Sequence, residues 1–146
     1  VTAQAPDGRL LFANQAAVEL LGYESSEALL SAPTSEILAR FDILDESGRP
    51  FAPEQLPGRK ALAEGEGGEV VVRFRVRATG EERWSAVKAT PIADRAGTVA
   101  MAINVIEDIT EAKNAERRQR FLAALREPAQ REPFSRYRVS AASLRN

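Results

Sequence analysis

The chain contains no cysteine and no histidine. Without cysteine there can be no disulfides, thiolate metal sites or cysteine nucleophiles. Without histidine the chain loses the commonest metal ligand, the usual general base and the usual haem ligand. A zinc enzyme or a Ser-His-Asp hydrolase cannot be assembled from the remaining side chains. No apolar run approaches the ~20 residues of a membrane span, and no charged n-region precedes an apolar h-region. The first residue, Val1, already lies in a strand-like pattern, so the chain reads as a piece of something longer.

What is present suits one compact domain: 146 residues, 44% of them hydrophobic, can bury a core of their own. Charge is unevenly placed. Residues 1–110 hold 17 Asp/Glu and 11 Lys/Arg, whereas residues 111–146 hold 4 and 9. The basic end reads as a solvated helix with a polar tail rather than a nucleic-acid-binding arm.

Along the chain, Val1–Ala5 and Leu10–Ala13 flank a Pro6-Asp7-Gly8-Arg9 turn and form a hairpin. Asn14 is placed to cap a helix from Gln15 to Leu21, with Gly22 at its C-terminal end. Short helices are expected at Ser26–Ser31 and, capped by Thr34, at Ser35–Ala39. Two short apolar pieces surround the Ser47-Gly48 turn, and a helix with Pro57 in its first turn is expected over Pro53–Glu64. The strongest strand signal is the alternation of Val70, Val72, Phe74 and Val76 with Val71, Arg73, Arg75 and Arg77. Partner strands follow over Arg83–Ile92 and Thr98–Ile106, giving a three-stranded meander. A charged helix then runs from Thr110 to about Arg126. Pro128 and Pro133 end any helical pattern, so residues 127–146 read as an irregular or disordered tail. The order β-β-α-α-α-α-β-β-β predicts an α+β fold: about five antiparallel strands with short helices on one face and a C-terminal linker helix.

Three stretches in this order resemble the PAS domain of bacterial signalling proteins. The first is Pro6-Asp-Gly-Arg-Leu-Leu-Phe-Ala-Asn14 with Leu20-Leu-Gly-Tyr23. The second is Gly80-Glu-Glu-Arg-Trp84 leading to Thr90-Pro-Ile92, and the third is Glu107-Asp-Ile-Thr-Glu111. Together they span residues 1–111. The resemblance implies a sensory and dimerising module over residues 1–109, with strand order 2-1-5-4-3 and a signalling helix over 110–126. It implies a two-component or similar signal-transduction protein, with a histidine kinase, phosphatase or cyclase as effector. A homodimer, a cytoplasmic location, and neither nucleic-acid binding nor catalysis of its own go with it.

Such domains hold ligands between the inner face of the sheet and the helices. The candidate lining residues are Phe41, Ile43, Leu56, Leu62, Val72, Phe74, Val87, Ala89, Ile103 and Val105; the simpler reading is that they fill a core. A small-molecule ligand is the partner expected there, and its identity is open. Haem and cysteine-linked flavin or chromophore branches are disfavoured by the missing histidine and cysteine, while a noncovalent flavin is left open.

Asp108 and Thr110 stand where the last strand becomes a helix. Thr110 is expected to cap that helix, with Lys113 at the third helical position, and a short bonded joint there would transmit a shift of the strand. Arg73, Arg75 and Arg77 share one strand face; they could receive an anion, or pair with Glu81 and Glu82. The side on which Trp84 projects is ambiguous. Two further readings compete: a ligand-free dimerisation scaffold, and a small ketosteroid-isomerase-like enzyme. The enzyme needs a buried carboxylate that no apolar strand face supplies.

Overall fold

The computed structural model describes residues 1–127; the expected tail lies outside the described residues apart from Glu127. Six strands form one sheet: β1 (Thr2–Gln4), β2 (Leu10–Ala13), β3 (Phe41–Leu44), β4 (Gly68–Val76), β5 (Glu82–Ala93) and β6 (Val99–Asp108). Their spatial order is β2-β1-β6-β5-β4-β3, and every neighbouring pair is antiparallel. Five of these strands keep the order that the sequence resemblance implies. The sixth, β3, corrects the expected count. Its four residues are too few to show alternation, and they become a strand only by pairing Phe41 with Val76 and Leu44 with Arg73.

The helices are α1 (Gln15–Leu20), α2 (Ser26–Ser31), α3 (Thr34–Ala39), α4 (Pro57–Glu64) and α5 (Thr110–Arg126). The side chain of Asn14 accepts from the Ala17 amide at 3.0 Å and caps α1. Thr34, by contrast, is no cap: it lies inside α3, and its hydroxyl donates to the Gly8 carbonyl at 2.9 Å, tying α3 to the first hairpin. The single helix expected over Pro53–Glu64 is broken. Pro53–Gln55 makes one tight 3₁₀ turn, Leu56 is extended at φ −61° and ψ 141°, and α4 starts at Pro57. The pyrrolidine ring of Pro57 disfavours helical backbone at the preceding residue.

The chain divides into two compact units, Val1–Lys113 and one that begins at Asn114. In the first, three apolar clusters fill the space between the sheet and the helices. Val18 and Leu29, both fully buried, centre the cluster under α1 and α2. Ile43, Val72 and Val87 form the second. Ala61, Ala89 and Ala102 form the third, a seam of small side chains beneath α4. Full burial of an aliphatic side chain such as Leu29 contributes about 1.5–3 kcal/mol. In the second unit, Phe121, Leu122 and Leu125 of α5 are exposed.

Gly58 lets α4 approach the sheet closely. A Cβ there would overlap Asn104 Oδ1 and stand 2.7 Å from Gln4 Oε1. Alanine normally favours a helix over glycine by ~1 kcal/mol. We nonetheless expect Gly58→Ala to lower stability by ~1–3 kcal/mol through this overlap. Adding Asn104→Ala should recover part of the loss, a coupling that urea unfolding of the double-mutant cycle measures.

Candidate functional site: an inner cavity and the strand–helix joint

Alternate residues of β5 and β6 face the helices. On β5 these are Ser85, Val87 and Ala89, at 0%, 5% and 2% exposure. On β6 they are Ala102 and Asn104, with the partly buried Ile106 continuing the same parity. Between this face and the helices lies a mainly apolar cavity of about 110 Å³. Leu10, Leu21, Ile37, Leu38, Leu56, Phe74, Val87 and Ile106 wall it, and Thr2, Gln4, Thr34 and Asn104 bring polar atoms to it. Those polar groups largely serve one another. The Asn104 amide donates to Thr2 Oγ1 at 3.3 Å and to Gln4 Oε1 at 3.1 Å. A second void of about 30 Å³ shares Leu21, Phe74 and Ile106 with the first and adds Leu20, Phe41, Val76, Arg83 and Ser85.

Of the residues singled out from the sequence, Leu56, Phe74 and Val87 line the main cavity. Phe41 packs edge-on against Phe74, with ring centroids 6.0 Å apart, and walls the smaller void. Ile43 and Val72 lie in the core beside Val87. Leu62 and Ala89 belong to the alanine seam beneath α4. Ile103 and Val105 are a correction: they lie on the opposite face of the sheet, where Val105 is 46% exposed. Because β6 is apolar on both faces, hydropathy favoured Ile103 and Val105 over the residue between them. The inward residue is Asn104, a polar side chain that becomes buried only through Thr2 and Gln4. Thr2, Gln4, Thr34 and Gly58 carry no local sign of lining a cavity, because its wall brings β1, α3 and α4 together with the rest of the sheet.

The outer face holds Trp84. It is not a bare apolar surface: the Arg73 guanidinium lies 4.8 Å from its ring centroid and the Lys113 ammonium 5.4 Å. The arginine stripe is engaged by acids. Glu82 accepts from Arg73 at 2.9 Å and from Arg75 at 3.3 Å, and Asp42 accepts from Arg77 at 2.9 Å. Of the two readings of this stripe, the structure carries the ion pairs. Arg73 also donates to the carbonyls of Asp45 and Glu46 in the turn after β3. The Glu46 carboxylate in turn accepts from Lys113 at 3.1 Å.

The joint itself differs from the expected cap. The Thr110 hydroxyl does not bond the helix; it donates to the Asp108 carboxylate and accepts from the Trp84 amide at 3.0 Å. Asp108 also accepts from the Thr110 amide at 3.0 Å. The Ile109 amide donates to the Trp84 carbonyl at 2.8 Å. Both backbone groups of Trp84 are therefore committed to Ile109 and Thr110, the junction of β6 and α5. Among the described residues no cluster of His, Cys, Asp or Glu could hold a metal, and no helix is long and apolar enough to cross a membrane.

A family described as "PAS fold" matches residues 1–114, and the chain belongs to that family. Among solved structures, it is similar to an RNA-binding light-oxygen-voltage receptor, at 28% identity and TM-score 0.58. That match covers 84% of this chain and 33% of the receptor, so this chain spans about a third of that protein's length. It is also similar in fold to a PAS domain from Colwellia psychrerythraea (19% identity, TM-score 0.53, 75% and 85% of the two chains). A sensory box histidine kinase/response regulator from Burkholderia thailandensis E264 matches at 18% identity and TM-score 0.50, over 85% and 86%. Comparison with curated proteins returns no match.

Replacing Thr110 by Val keeps the side-chain shape and leaves the Trp84 amide without its acceptor. The expected cost is ~1–3 kcal/mol in urea unfolding, with Thr110→Ser close to the parent; equal stability of all three proteins would contradict the bonding described.

Proposed function

We propose that residues 1–109 form a sensory module. A change at the inner cavity shifts β5 and β6, and the Asp108–Thr110 joint passes that shift to α5, the signalling helix over residues 110–126. The observation that carries this reading is the pair of hydrogen bonds that the Trp84 backbone makes, donating to the Thr110 hydroxyl and accepting from the Ile109 amide. A strand that moves with the cavity wall takes the start of the helix with it, because no spacer separates them. The output is an effector outside residues 1–127, a histidine kinase, phosphatase or cyclase, and the histidine kinase among the structural neighbours supports that class. The partners are a small molecule and a second copy of the chain, in a cytoplasmic signalling protein. Nucleic acid is not among them, since the Arg73–Arg77 stripe is matched by carboxylates. Catalysis is assigned to none of the described residues. Haem and cysteine-linked groups are disfavoured as its occupants by the lack of histidine and cysteine.

The single tryptophan of the chain sits at the joint, so its emission reads the joint alone. Leu38→Phe adds bulk to the cavity wall opposite the sheet. It should shift Trp84 emission and speed amide hydrogen exchange at Thr110, and both effects should shrink when Thr110→Val is added. Unchanged emission in Leu38→Phe would show that the cavity and the joint are uncoupled.

A dimer has its own support. Phe12 and Val105 expose apolar surface on the outer face of the sheet, at 52% and 46%, beside Ala3 and Ile103. Adjoining apolar side chains of this kind mark association surfaces. Phe12→Glu with Val105→Glu should convert a dimer to a monomer in size-exclusion chromatography with light scattering, with thermal stability of the monomer unit retained.

A further inference from the structure

Ser85 is wholly buried, yet its hydroxyl has no hydrogen-bond partner. A buried hydroxyl left unpaired is costly and calls for a partner. It projects into the 30 Å³ void, whose other walls are apolar side chains and Arg83, itself bonded through Nε to Glu81. A lone water needs two to four polar contacts to be held in such a place, and these side chains offer it little beyond Ser85. Phe74 and Ile106 stand between this void and the main cavity and belong to both.

We infer that the two voids are one ligand site, and that its ligand is a molecule about the size of a single six-membered ring, carrying one hydroxyl or comparable hydrogen-bonding group for Ser85. The inference rests on the sensory reading above and names the ligand class for it. Size sets the upper limit. The two voids together come close to the roughly 150 Å³ of an engineered apolar cavity that takes benzene. The three fused rings of a flavin are larger than that volume, although light-oxygen-voltage proteins are among the structural neighbours. The lining of the main cavity is apolar apart from Arg59 and from amide and hydroxyl groups that already have partners within the fold. Polarity sets the lower limit, because a hydrocarbon alone would leave the Ser85 hydroxyl unpaired. Position gives the site its consequence. Ser85 follows Trp84 directly and pairs with Asp108 across β5 and β6, so the ligand's polar group bonds beside the joint.

The test titrates the 146-residue chain with phenol, benzene and riboflavin, following the amide signals of Ser85, Trp84 and Thr110 by NMR. Phenol and benzene should both saturate, with phenol the tighter, and riboflavin should leave the signals unmoved. In Ser85→Ala, benzene affinity should hold while phenol weakens about tenfold relative to it, the effect of one hydrogen bond lost with its donor left unpaired; retained benzene binding shows that the variant is folded. Equal binding of phenol and benzene by the parent chain, failure of both to bind, or saturable riboflavin binding would each overturn the inference. The sensory reading fails separately. Phenol that binds through Ser85 and leaves Trp84 emission unchanged overturns transmission but keeps the ligand class. A coupled Leu38→Phe response with no phenol preference does the reverse.

Discussion

The fold is closed by the bonds of one buried amide. Asn104 joins β6 to β1 through Thr2 and Gln4, residues about a hundred positions earlier in the chain. Together with the antiparallel ladder of β1 and β6, these bonds tie the first hairpin to the meander in the register that turns Asn104 inward. A one-residue slip would send Asn104 outward and bring Ile103 and Val105 into the interior, so the whole inner surface depends on this register. The same side chain requires Gly58 opposite it, and so determines how closely α4 can settle on the sheet. The alanine seam of Ala61, Ala89 and Ala102 continues that close approach along the helix.

Where the interior is built of small residues the helix and sheet meet. Where it is built of Leu56, Phe74, Val87 and Ile106 they do not quite close, and a cavity remains. Interiors normally pack to crystal-like density, so a void beside an unpartnered hydroxyl is unlike the rest of this core. Its placement gives it meaning: the void touches the inner face of β5, and the backbone of the same strand, one residue away, holds the start of α5.

The outer side of that joint is electrostatic. Trp84 offers its ring to Arg73 and Lys113, Arg73 is held by Glu82 and by the turn at Asp45–Glu46, and Lys113 reaches Glu46. Exposed ion pairs individually contribute little. Here they share one aromatic platform and three elements, so the first turn of α5 is located by several contacts at once. The apolar part of the outer face, at Phe12 and Val105, lies away from this cluster toward the β1–β6 side, leaving both surfaces usable in one molecule.

Local chemistry made much of this legible in the amino-acid sequence. Asn14 and Gly22 mark the ends of α1 because a side-chain acceptor and a left-handed residue are needed there. The alternation around Val72 identifies β4, the missing cysteine and histidine weigh against haem and cysteine-linked cofactors, and three ordered motifs point to the family. Other features had no local signal. The parity of β6 could not be read because both of its faces are apolar. Strand β3 was too short to show a period and exists by pairing with β4. The Thr110 hydroxyl resembles a helix cap in one dimension, but its partners are Asp108 and the amide of Trp84, 26 residues away. The cavity is assembled from the hairpin, α3, α4 and the meander. Backbone conformation follows from neighbours along the chain. Which side of a strand is buried, and which hydroxyl meets which amide, follows from elements that meet only on folding.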